Sequence, residues 1–392
     1  MTLLPWEAPV SWPAGLSLLC WLWLTCGQGR FWRTDLRLPP LRPDPERWPE
    51  VAVVVPARDE AEVLPLSLPG LLGQKYPGRA RVILVDDHSS DGTAEVARAL
   101  AAALPDGLPL TVTSPPPLPA GWTGKLWAVR HGVELAGPAE LLLLTDADIA
   151  HGPDTLAALV AGAEANRLDL VSQMARLRTD TAWERLIVPA FVYFFAQLYP
   201  FRWSNRPGGR TAAAAGGCSL VRRTALERAG GVAAIRGAVI DDVSLARAVK
   251  RSGGRTWLGL AERTEALQVV SVRPYVGLGP LWRMVSRSAY AQLRHSLLLL
   301  TGTVLGLALI YLLPPLAGLI GLAGGQWRLA ALGAAAWVLM TVTYLPMTRY
   351  YGRPPAAALL LPFTALLYLL MTVDSAVQHY RGRGAAWKGR TY

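Results

Sequence analysis

The segment VILVDDHSSDGT, residues 82–93, decides the fold class. Four apolar residues are followed at once by two aspartates and a glycine-containing turn, which is typical of a buried strand that ends at a polar crevice. The pattern recurs upstream, where residues 51–55 run into PARDE, and downstream, where residues 141–144 run into TDAD. Helical patterns separate these runs, and residues 94–104 form the clearest one. We therefore predict an α/β domain with a mostly parallel sheet and flanking helices.

Two adjacent carboxylates follow the apolar run of residues 82–85 directly. Asp86 and Asp87 would repel each other at a buried strand end unless a ligand or a hydrogen-bond donor compensates their charges. We expect the pair to accept hydrogen bonds from the base or the ribose hydroxyls of a nucleotide. Asp91 and Thr93, in contrast, fit the turn and the cap of the next helix, which is a structural role.

Two further aspartates, Asp146 and Asp148, follow the apolar run of residues 141–144. Residues i and i+2 of an extended chain point to the same face, so both carboxylates can hold one hard cation. Mg²⁺ or Mn²⁺ bound there would bridge the oxygens of a diphosphate and neutralise the charge that builds as a nucleotide leaves. The alternative is a solvated turn at a strand end, where aspartate is common.

A set of ordered motifs resembles the inverting glycosyltransferases of family two, which have a GT-A fold. The motifs are VPARDE (residues 55–60), VDDHSSDGT (85–93), GKLWA (124–128), DAD (146–148) and DD (241–242). The resemblance implies a nucleotide-sugar donor, and a UDP-sugar is the expected one. It implies that the donor is bound by Pro56, Ala57, Arg58, Glu60, Asp86, Asp87, Lys125, Asp146 and Gly217. It also implies that Asp146 and Asp148 hold the divalent cation and that Asp242 is the catalytic base.

The chemistry of an inverting transfer agrees with a carboxylate at position 242. Such a transfer needs a base that removes the proton of the acceptor hydroxyl as its oxygen attacks the anomeric carbon. Asp241 would either raise the pKa of Asp242 by like-charge repulsion or cap the helix predicted over residues 244–250. The alternative is that both aspartates only stabilise a helix N-terminus through the helix dipole.

The segment GGCSLVRR, residues 216–223, resembles the part of the family that lies beneath the acceptor and the donor sugar. Its glycines would let the backbone approach a ligand closely. Cys218 is expected to be a small buried residue without a catalytic role, because the mechanism requires no thiol.

Three longer stretches resemble the hopanoid-biosynthesis-associated glycosyltransferases of bacteria. They are GWTGKLWA (121–128), LYPFRW (198–203) and WKGRTY (387–392). The resemblance implies a lipid acceptor, with a hopanoid expected, although Arg206 stands where an acidic residue is expected. Transfer to another lipid, such as a polyprenyl phosphate, a carotenoid, diacylglycerol or a ceramide-like lipid, is an alternative. A transport or binding protein without catalysis is a second one.

Much of the 52% apolar content of the 392 residues lies in a few long runs, which indicates a membrane protein with a soluble insert. Residues 297–323, 329–345 and 356–373 are each near the roughly 17 to 25 residues that cross a bilayer. The expected divisions are an N-terminal membrane helix (1–29), a basic Pro-rich tether (30–50), the GT-A domain (51–280), an interfacial helix (281–296), transmembrane segments (297–375) and a basic tail (376–392).

The net charge of +11 is not accompanied by a nucleic-acid-binding motif, so we expect lipid headgroups and sugar phosphates as partners and no nucleic acid. Basic residues after the first apolar run place the domain in the cytoplasm by the positive-inside bias. These residues are Arg30, Arg33, Arg37 and Arg42. The resemblance to bacterial enzymes implies a multi-pass protein of the bacterial inner membrane. Three later spans would put the basic tail, with Arg381, Arg383, Lys388 and Arg390, outside. We therefore expect a break at Pro314-Pro315 or a first run that does not span.

Two stretches are expected to connect the catalytic domain with the membrane. Arg287 would contact the leaving diphosphate, for which its planar guanidinium is suited, or anionic lipid from one side of an interfacial helix. The aromatic-rich residues 189–201 are predicted to be an amphipathic segment at the membrane surface that presents a lipid acceptor to Asp242. A buried core is the alternative for these aromatic residues.

Overall fold

A computed structural model of the protein describes residues 8–39, 44–382, 386–387 and 390–391. The chain divides into a sheet unit and a helical unit. The sheet unit comprises Asp35–Arg178, Phe201–Pro274 and Ala386–Tyr392. The helical unit comprises Met1–Thr34, Thr179–Pro200 and Tyr275–Ala385. Three basic residues of the predicted tether and tail lie outside the described residues: Arg42, Arg383 and Lys388.

The strands of the described residues are β1 (Val51–Ala57), β2 (Ala80–Asp86), β3 (Leu110–Thr113), β4 (Leu141–Leu144), β5 (Ile149–His151), β6 (Leu170–Met174), β7 (Ser219–Arg222), β8 (Thr256–Leu260), β9 (Val269–Ser271), β10 (Ala386–Trp387) and β11 (Arg390–Thr391). Seven of them form one sheet in the order β3-β2-β1-β4-β7-β6-β8. Only β7 runs antiparallel to its neighbours in this sheet, so the prediction of a mostly parallel sheet is confirmed.

The helices are α1 (Ala8–Cys26), α2 (Leu64–Leu72), α3 (Thr93–Ala102), α4 (Gly124–Leu135), α5 (Thr155–Ala165), α6 (Ala182–Leu198), α7 (Phe201–Ser204), α8 (Arg223–Arg228), α9 (Asp241–Arg251), α10 (Leu278–Gln292), α11 (Leu297–Leu307), α12 (Leu313–Ala323), α13 (Trp327–Tyr350) and α14 (Leu361–Tyr380). Short 3₁₀ segments cover Val232–Ile235 and Pro355–Leu360, and a π-helical segment covers Ala308–Leu312.

The inner strand β1 is buried along its whole length, because the sheet carries a hydrophobic core on each face. It is two residues longer than the apolar run predicts, since Pro56 and Ala57 pair with β2. Proline has no N–H for a central ladder, but the pairing of β1 with β4 already ends at Val54. The polar residues therefore begin at Arg58, at the carboxyl end of the sheet.

Residues 35–39, which belong to the predicted tether over residues 30–50, are packed on the sheet unit. The N–H of Leu260 in β8 donates to the carbonyl of Leu36 at 2.9 Å, and Trp257 Nε1 donates to the carbonyl of Arg37 at 2.8 Å. A Cβ on Gly259 would lie only 1.9 Å from that carbonyl, so a side chain there would block the contact. The strand β8 is the last in the sheet, and an edge strand offers backbone groups that can pair with another segment. Residues 35–39 have no hydrophobic periodicity, so the sequence does not predict that they pair there.

The helical unit contains three described helices that are long and apolar enough to cross a membrane. They cover Leu297–Ala323, Trp327–Tyr350 and Pro355–Tyr380, as the three apolar runs predict. The first helix continues through Pro314-Pro315, with the π-helical segment Ala308–Leu312 directly before them. Proline removes a backbone hydrogen bond, but α1 supplies donors here: Trp21 Nε1 donates to the carbonyl of Ile310 and Ser17 Oγ to that of Leu309, each at 2.7 Å.

The aromatic segment forms the helix α6 within the helical unit, so it lies outside the expected contiguous domain 51–280. Tyr193 is fully buried, and its hydroxyl is 2.9 Å from Thr343 Oγ1 in α13. The ring of Phe194 contacts the rings of Tyr311 and Tyr368 on the candidate membrane helices. Tyr193 is therefore packed core, which is the alternative stated for this segment, whereas Phe194 is only partly buried. The platform role of the segment stays a prediction.

The end of α14 lies beside α10 and the start of α11. The imidazole rings of His295 and His379 stack at 4.3 Å, and the hydroxyls of Tyr290 and Tyr380 are 3.0 Å apart. The Trp282 indole also donates to Asp374, which precedes His379 on α14. The third candidate span therefore ends close to the point where the first candidate span begins.

Candidate active site

A pocket lies at the carboxyl ends of β1 and β4, where the sequence predicts an acidic crevice. The first turns of α4 and α9 also contribute to it. It is lined by Pro56, Lys125, Leu126, Val129, Leu144, Thr145, Asp146, Gly216, Ser219, Val232, Ile235, Asp241, Asp242 and Leu245. The structure thus brings together predicted residues from four separate motifs. Their catalytic and binding roles remain predictions.

Lys125 bridges two carboxylates in this pocket. Its Nζ lies 2.8 Å from Asp146 Oδ1 and 3.0 Å from Asp241 Oδ2. Thr123 caps α4 by accepting a hydrogen bond from the N–H of Leu126, which places Lys125 in the first turn of the helix. Burial works to lower the pKa of Lys125, but the two carboxylates outweigh it and raise the pKa above its ordinary value. Lys125 is therefore a permanent cation at the strand ends.

Asp242 is held by backbone hydrogen bonds. Its Oδ2 accepts from the N–H of Gly216 at 2.9 Å, and its Oδ1 accepts from the N–H of Val243 at 2.7 Å. Burial, and then repulsion by Asp241, raises the pKa of Asp242 to about 7. Both aspartates stand in the first turn of α9, which begins three residues earlier than predicted, so the helix dipole also favours them. A carboxylate with this pKa is suited to accept a proton near neutral pH.

Gly216 occupies the centre of the charged groups. A Cβ at this position would lie 3.5 Å from Lys125 Nζ, 3.6 Å from Asp146 Oδ2 and 3.7 Å from Asp242 Oδ2. Any side chain at position 216 would fill the space that these three groups face. Gly217, the predicted donor-site glycine, is packed against Ile149. A Cβ added at Gly217 would lie 3.0 Å from Ile149 Cδ1.

Asp148 is paired with a different cation from its motif partner Asp146. Arg273 Nε donates to Asp148 Oδ2 at 2.8 Å, and Arg273 Nη2 donates to both carboxylate oxygens of Glu60 at 2.7 Å. Sequence reasoning missed Arg273, because no motif contains it. The signal is topological: β9 pairs with β5, which follows the DAD motif directly, so residues after β9 return to Asp148.

The carboxylates fit a divalent cation that is held jointly with a diphosphate. Among the described residues, no group of three or more His, Cys, Asp or Glu side chains converges to form a complete protein cage. Mg²⁺ and Mn²⁺ at diphosphate sites commonly use one or two carboxylates, with substrate phosphates and water as the other ligands. Asp146 and Asp148 would provide those carboxylates, and a Cβ on Gly216 would lie 3.6 Å from Asp146 Oδ2.

The residues predicted to bind the nucleotide lie in the loops that follow β1 and β2, and these loops are hydrogen-bonded to each other. Asp87 is buried, and Arg58 Nη1 donates to its carbonyl at 2.7 Å and lies 3.5 Å from its Oδ2. Asp86 Oδ1 accepts from the N–H of Ser89 at 3.1 Å, so local donors compensate both carboxylates. Asp59 and His88, at the ends of β1 and β2, adopt left-handed φ values of 51° and 55°. Such conformations are uncommon for residues other than glycine and often occur at functional sites.

A buried hydrogen-bond chain fixes the backbone beside the DAD motif. Thr145 Oγ1 donates to the carbonyl of Gly217 at 2.8 Å and lies 2.9 Å from His151 Nε2. The threonine hydroxyl has one proton, so Nε2 of His151 must carry the proton that it shares with Thr145. Burial lowers the pKa of His151 to about 4, which keeps the imidazole neutral. His151 was not among the predicted residues.

Two other predicted residues lie away from the charged groups. Cys218 is buried, and burial raises the pKa of its thiol to about 12, in agreement with a packing role. Arg287 is exposed on α10 in the helical unit, and it is not part of the pocket. Its two predicted roles, at the diphosphate or at lipid, both stay predictions.

Comparisons with known proteins identify the family. Residues 49–274 match the sequence family described as "Glycosyltransferase like family 2". The protein is a family 2 glycosyltransferase. No curated protein matches the sequence of this glycosyltransferase. A solved structure with a similar fold is the mannosyltransferase PcManGT from Pyrobaculum calidifontis in complex with GDP-Man and Mn²⁺. It has a TM-score of 0.55 and 22% identity, over 95% of this chain and 98% of that chain.

Structures of TarS from S. aureus are also similar to this glycosyltransferase. One has a TM-score of 0.40 and 15% identity, over 62% of this chain and 40% of that chain. A complex of TarS residues 1–349 with UDP-GlcNAc has a TM-score of 0.38 and 13% identity, over 85% and 92% of the two chains. At these identities the structural similarity concerns the fold alone.

Proposed function

We propose that this glycosyltransferase transfers a sugar from a nucleotide-sugar donor to a membrane lipid with inversion of the anomeric configuration. The observation that carries the proposal is the position of Asp242. Its carboxylate lies at the strand ends beside Lys125 and Asp146, with a pKa raised to about 7 by burial and by repulsion from Asp241. An inverting transfer needs one such base, which removes the proton of the acceptor hydroxyl during attack.

The proposed donor site combines fixed charges with a divalent cation, Mg²⁺ or Mn²⁺. Asp146 and Asp148 would hold the cation, and when bound it would neutralise the charge that builds on the leaving diphosphate. The solved complex of PcManGT with GDP-Man and Mn²⁺ supports a cation and a nucleotide-sugar in this fold. We keep a UDP-sugar as the first donor to test, with a GDP-sugar as the second. Asp86, Asp87 and Arg58 would form the nucleotide end of the site.

The proposed acceptor is a lipid hydroxyl, and a hopanoid is the first candidate. The same chain carries the transferase fold and three helices of membrane-spanning length, which a transferase for a soluble acceptor does not require. The resemblance of three sequence stretches to hopanoid-associated glycosyltransferases supports the hopanoid. Polyprenyl phosphate, carotenoid, diacylglycerol and ceramide-like acceptors share the same donor chemistry. A transport or binding protein without catalysis is disfavoured, because Asp146, Asp148 and Asp242 are all present.

We also propose a multi-pass location in a bacterial inner membrane, with the sheet unit and the tail in the cytoplasm. Three complete crossings would put residues 297 and 380 on opposite faces of the bilayer. The stacked His295 and His379 instead place these two ends together, which supports an even number of complete crossings between them. The basic tail then obeys the positive-inside bias. A cysteine introduced by Arg381→Cys should react with a membrane-impermeant thiol reagent from the cytoplasmic side only. Labelling only from outside would contradict the orientation.

The acceptor class is tested by following label from nucleotide-sugars into extracted lipid. Purified protein in detergent is incubated with labelled UDP- or GDP-sugars and a lipid extract that contains hopanoids, and the products are separated by thin-layer chromatography. We expect a labelled lipid product that the Asp242→Asn variant does not form. Equal or better transfer to a water-soluble sugar acceptor would contradict the lipid proposal.

A further inference from the structure

Asp148 of the proposed cation site shares a single arginine with Glu60. The side chains of Glu60 and Asp148 are only 8% and 15% exposed, whereas that of Arg273 is 28% exposed. Buried carboxylates are unfavourable unless charges and hydrogen bonds compensate them, and Arg273 does this for both. An arginine guanidinium is always charged in proteins, so both contacts are ion pairs.

Each aspartate of the DAD motif therefore has its own positive partner. Lys125 pairs with Asp146, and Arg273 pairs with Asp148. A divalent cation bound to Asp148 would stand next to the guanidinium, and like charges at that distance repel. A cation bound to Asp148 would therefore weaken the pair of Asp148 with Arg273, which uses only Oδ2 of the carboxylate.

The backbone beside Arg273 is fixed, whereas its side chain is partly exposed. The N–H of Val272 donates to the carbonyl of Asp148 at 2.8 Å, and Arg178 Nη1 donates to the carbonyl of Val272 at 3.1 Å. A rearrangement of Arg273 would therefore move its side chain and leave the backbone in place. A guanidinium that leaves a carboxylate finds an equivalent bidentate partner in a phosphate group.

We propose that Arg273 is an exchangeable counter-cation of the donor site: it neutralises Asp148 and Glu60 in the free protein, and it transfers to the donor diphosphate when the divalent cation takes Asp148. The inference rests on the proposed nucleotide-sugar function and adds a residue that no motif contains. Its consequence is that metal alone binds weakly, because it must displace Arg273. Metal with a diphosphate binds tightly, because the displaced guanidinium gains a new partner. The site would thus fill with both ligands together.

The exchange predicts opposite effects of Arg273→Gln on two ligands that lack a sugar. Purified full-length protein in detergent is titrated with Mn²⁺ alone, detected by the electron paramagnetic resonance signal of free Mn²⁺, and with pyrophosphate at saturating Mn²⁺, detected by calorimetry. We expect the variant to bind Mn²⁺ about three- to tenfold more tightly, the scale of one partly buried ion pair. We expect it to bind pyrophosphate at least about tenfold more weakly, since a charge-assisted bidentate contact is lost.

The control is Arg222→Gln, because Arg222 is also 28% exposed and pairs with Glu164 at 2.7 Å outside the pocket. It should change neither affinity. The double variant Glu60→Gln/Arg273→Gln also removes the carboxylate charge that Arg273 neutralises, and it should show the same opposite effects if the single variant does not fold.

Weaker binding of both ligands would make Arg273 a structural residue, and unchanged binding would remove it from the site. Either result overturns the exchange and leaves the proposed function intact. A wild-type protein that binds neither Mn²⁺ nor pyrophosphate would contradict the proposed cation site itself and the exchange with it.

Discussion

Replacing Asp242 with Asn removes the proposed base and little else. An asparagine side-chain oxygen still accepts from the N–H of Gly216, so the loop that carries the glycine keeps its contact. Donor binding should stay within about threefold of wild type, because the groups assigned to the diphosphate and the nucleotide are unchanged. Turnover should fall by about 100-fold or more, which is the usual contribution of a general base.

The pH dependence follows from the raised pKa. Below pH 7 the Asp242 carboxyl is mostly protonated and unable to accept the acceptor proton, since its pKa is about 7. The value of kcat/KM for the free enzyme should therefore rise about tenfold per pH unit up to pH 7 and level off above it. Asp241→Asn removes the repulsion and should move this limb to lower pH, although burial, the larger cause, remains.

The assay is initial-rate transfer from the labelled donor to lipid between pH 5 and 9, with donor affinity measured separately by calorimetry. Full turnover in Asp242→Asn would refute the assignment of the base. An inactive Asp241→Asn beside an active Asp242→Asn would move the base to the neighbouring residue. A profile that is flat between pH 5 and 7 would contradict the raised pKa.

Three further predictions concern the cation, a buried histidine and the first helix. Asp146→Asn, Asp148→Asn or chelation by EDTA should each abolish transfer, and full activity in EDTA would disprove the cation role. His151→Leu should weaken pyrophosphate binding and lower stability by about 1–3 kcal/mol, whereas His151→Gln, which keeps an N–H near Nε2, should recover much of both in calorimetry and thermal melts. Trp21→Phe leaves the carbonyl of Ile310 without its donor and should destabilise the protein by about 1 kcal/mol in detergent melts; an unchanged Tm would contradict this.

The sheet and the strand ends that line the pocket could be predicted, because both follow from local sequence patterns. Apolar runs of four or five residues predict β1, β2 and β4. These strands are parallel neighbours, so the acids that follow them lie at the same edge of the sheet. Asp242 and Lys125 were found through motifs with a chemical rationale. Their proximity to Gly216 is a tertiary result that the sequence only implied through family resemblance.

The missed residues depend on long-range contacts. Arg273 lies 125 positions from Asp148 in the chain and reaches it only because β9 pairs with β5. His151 looks like an ordinary residue after a strand, and its role is visible only through Thr145 and Gly217. The aromatic composition of α6 fits a membrane interface and a helix core equally well, so the sequence alone does not distinguish the two.

The anomeric configuration of the transferred sugar tests the central claim most directly. The labelled lipid product is purified from a reaction with an α-linked nucleotide-sugar, and the coupling constant of its anomeric proton is measured by NMR immediately after transfer. A single displacement assisted by Asp242 predicts a β-linked sugar in a product that partitions with lipid. An α-linked sugar on the lipid, or label released only as free sugar in water, would contradict an inverting lipid glycosyltransferase.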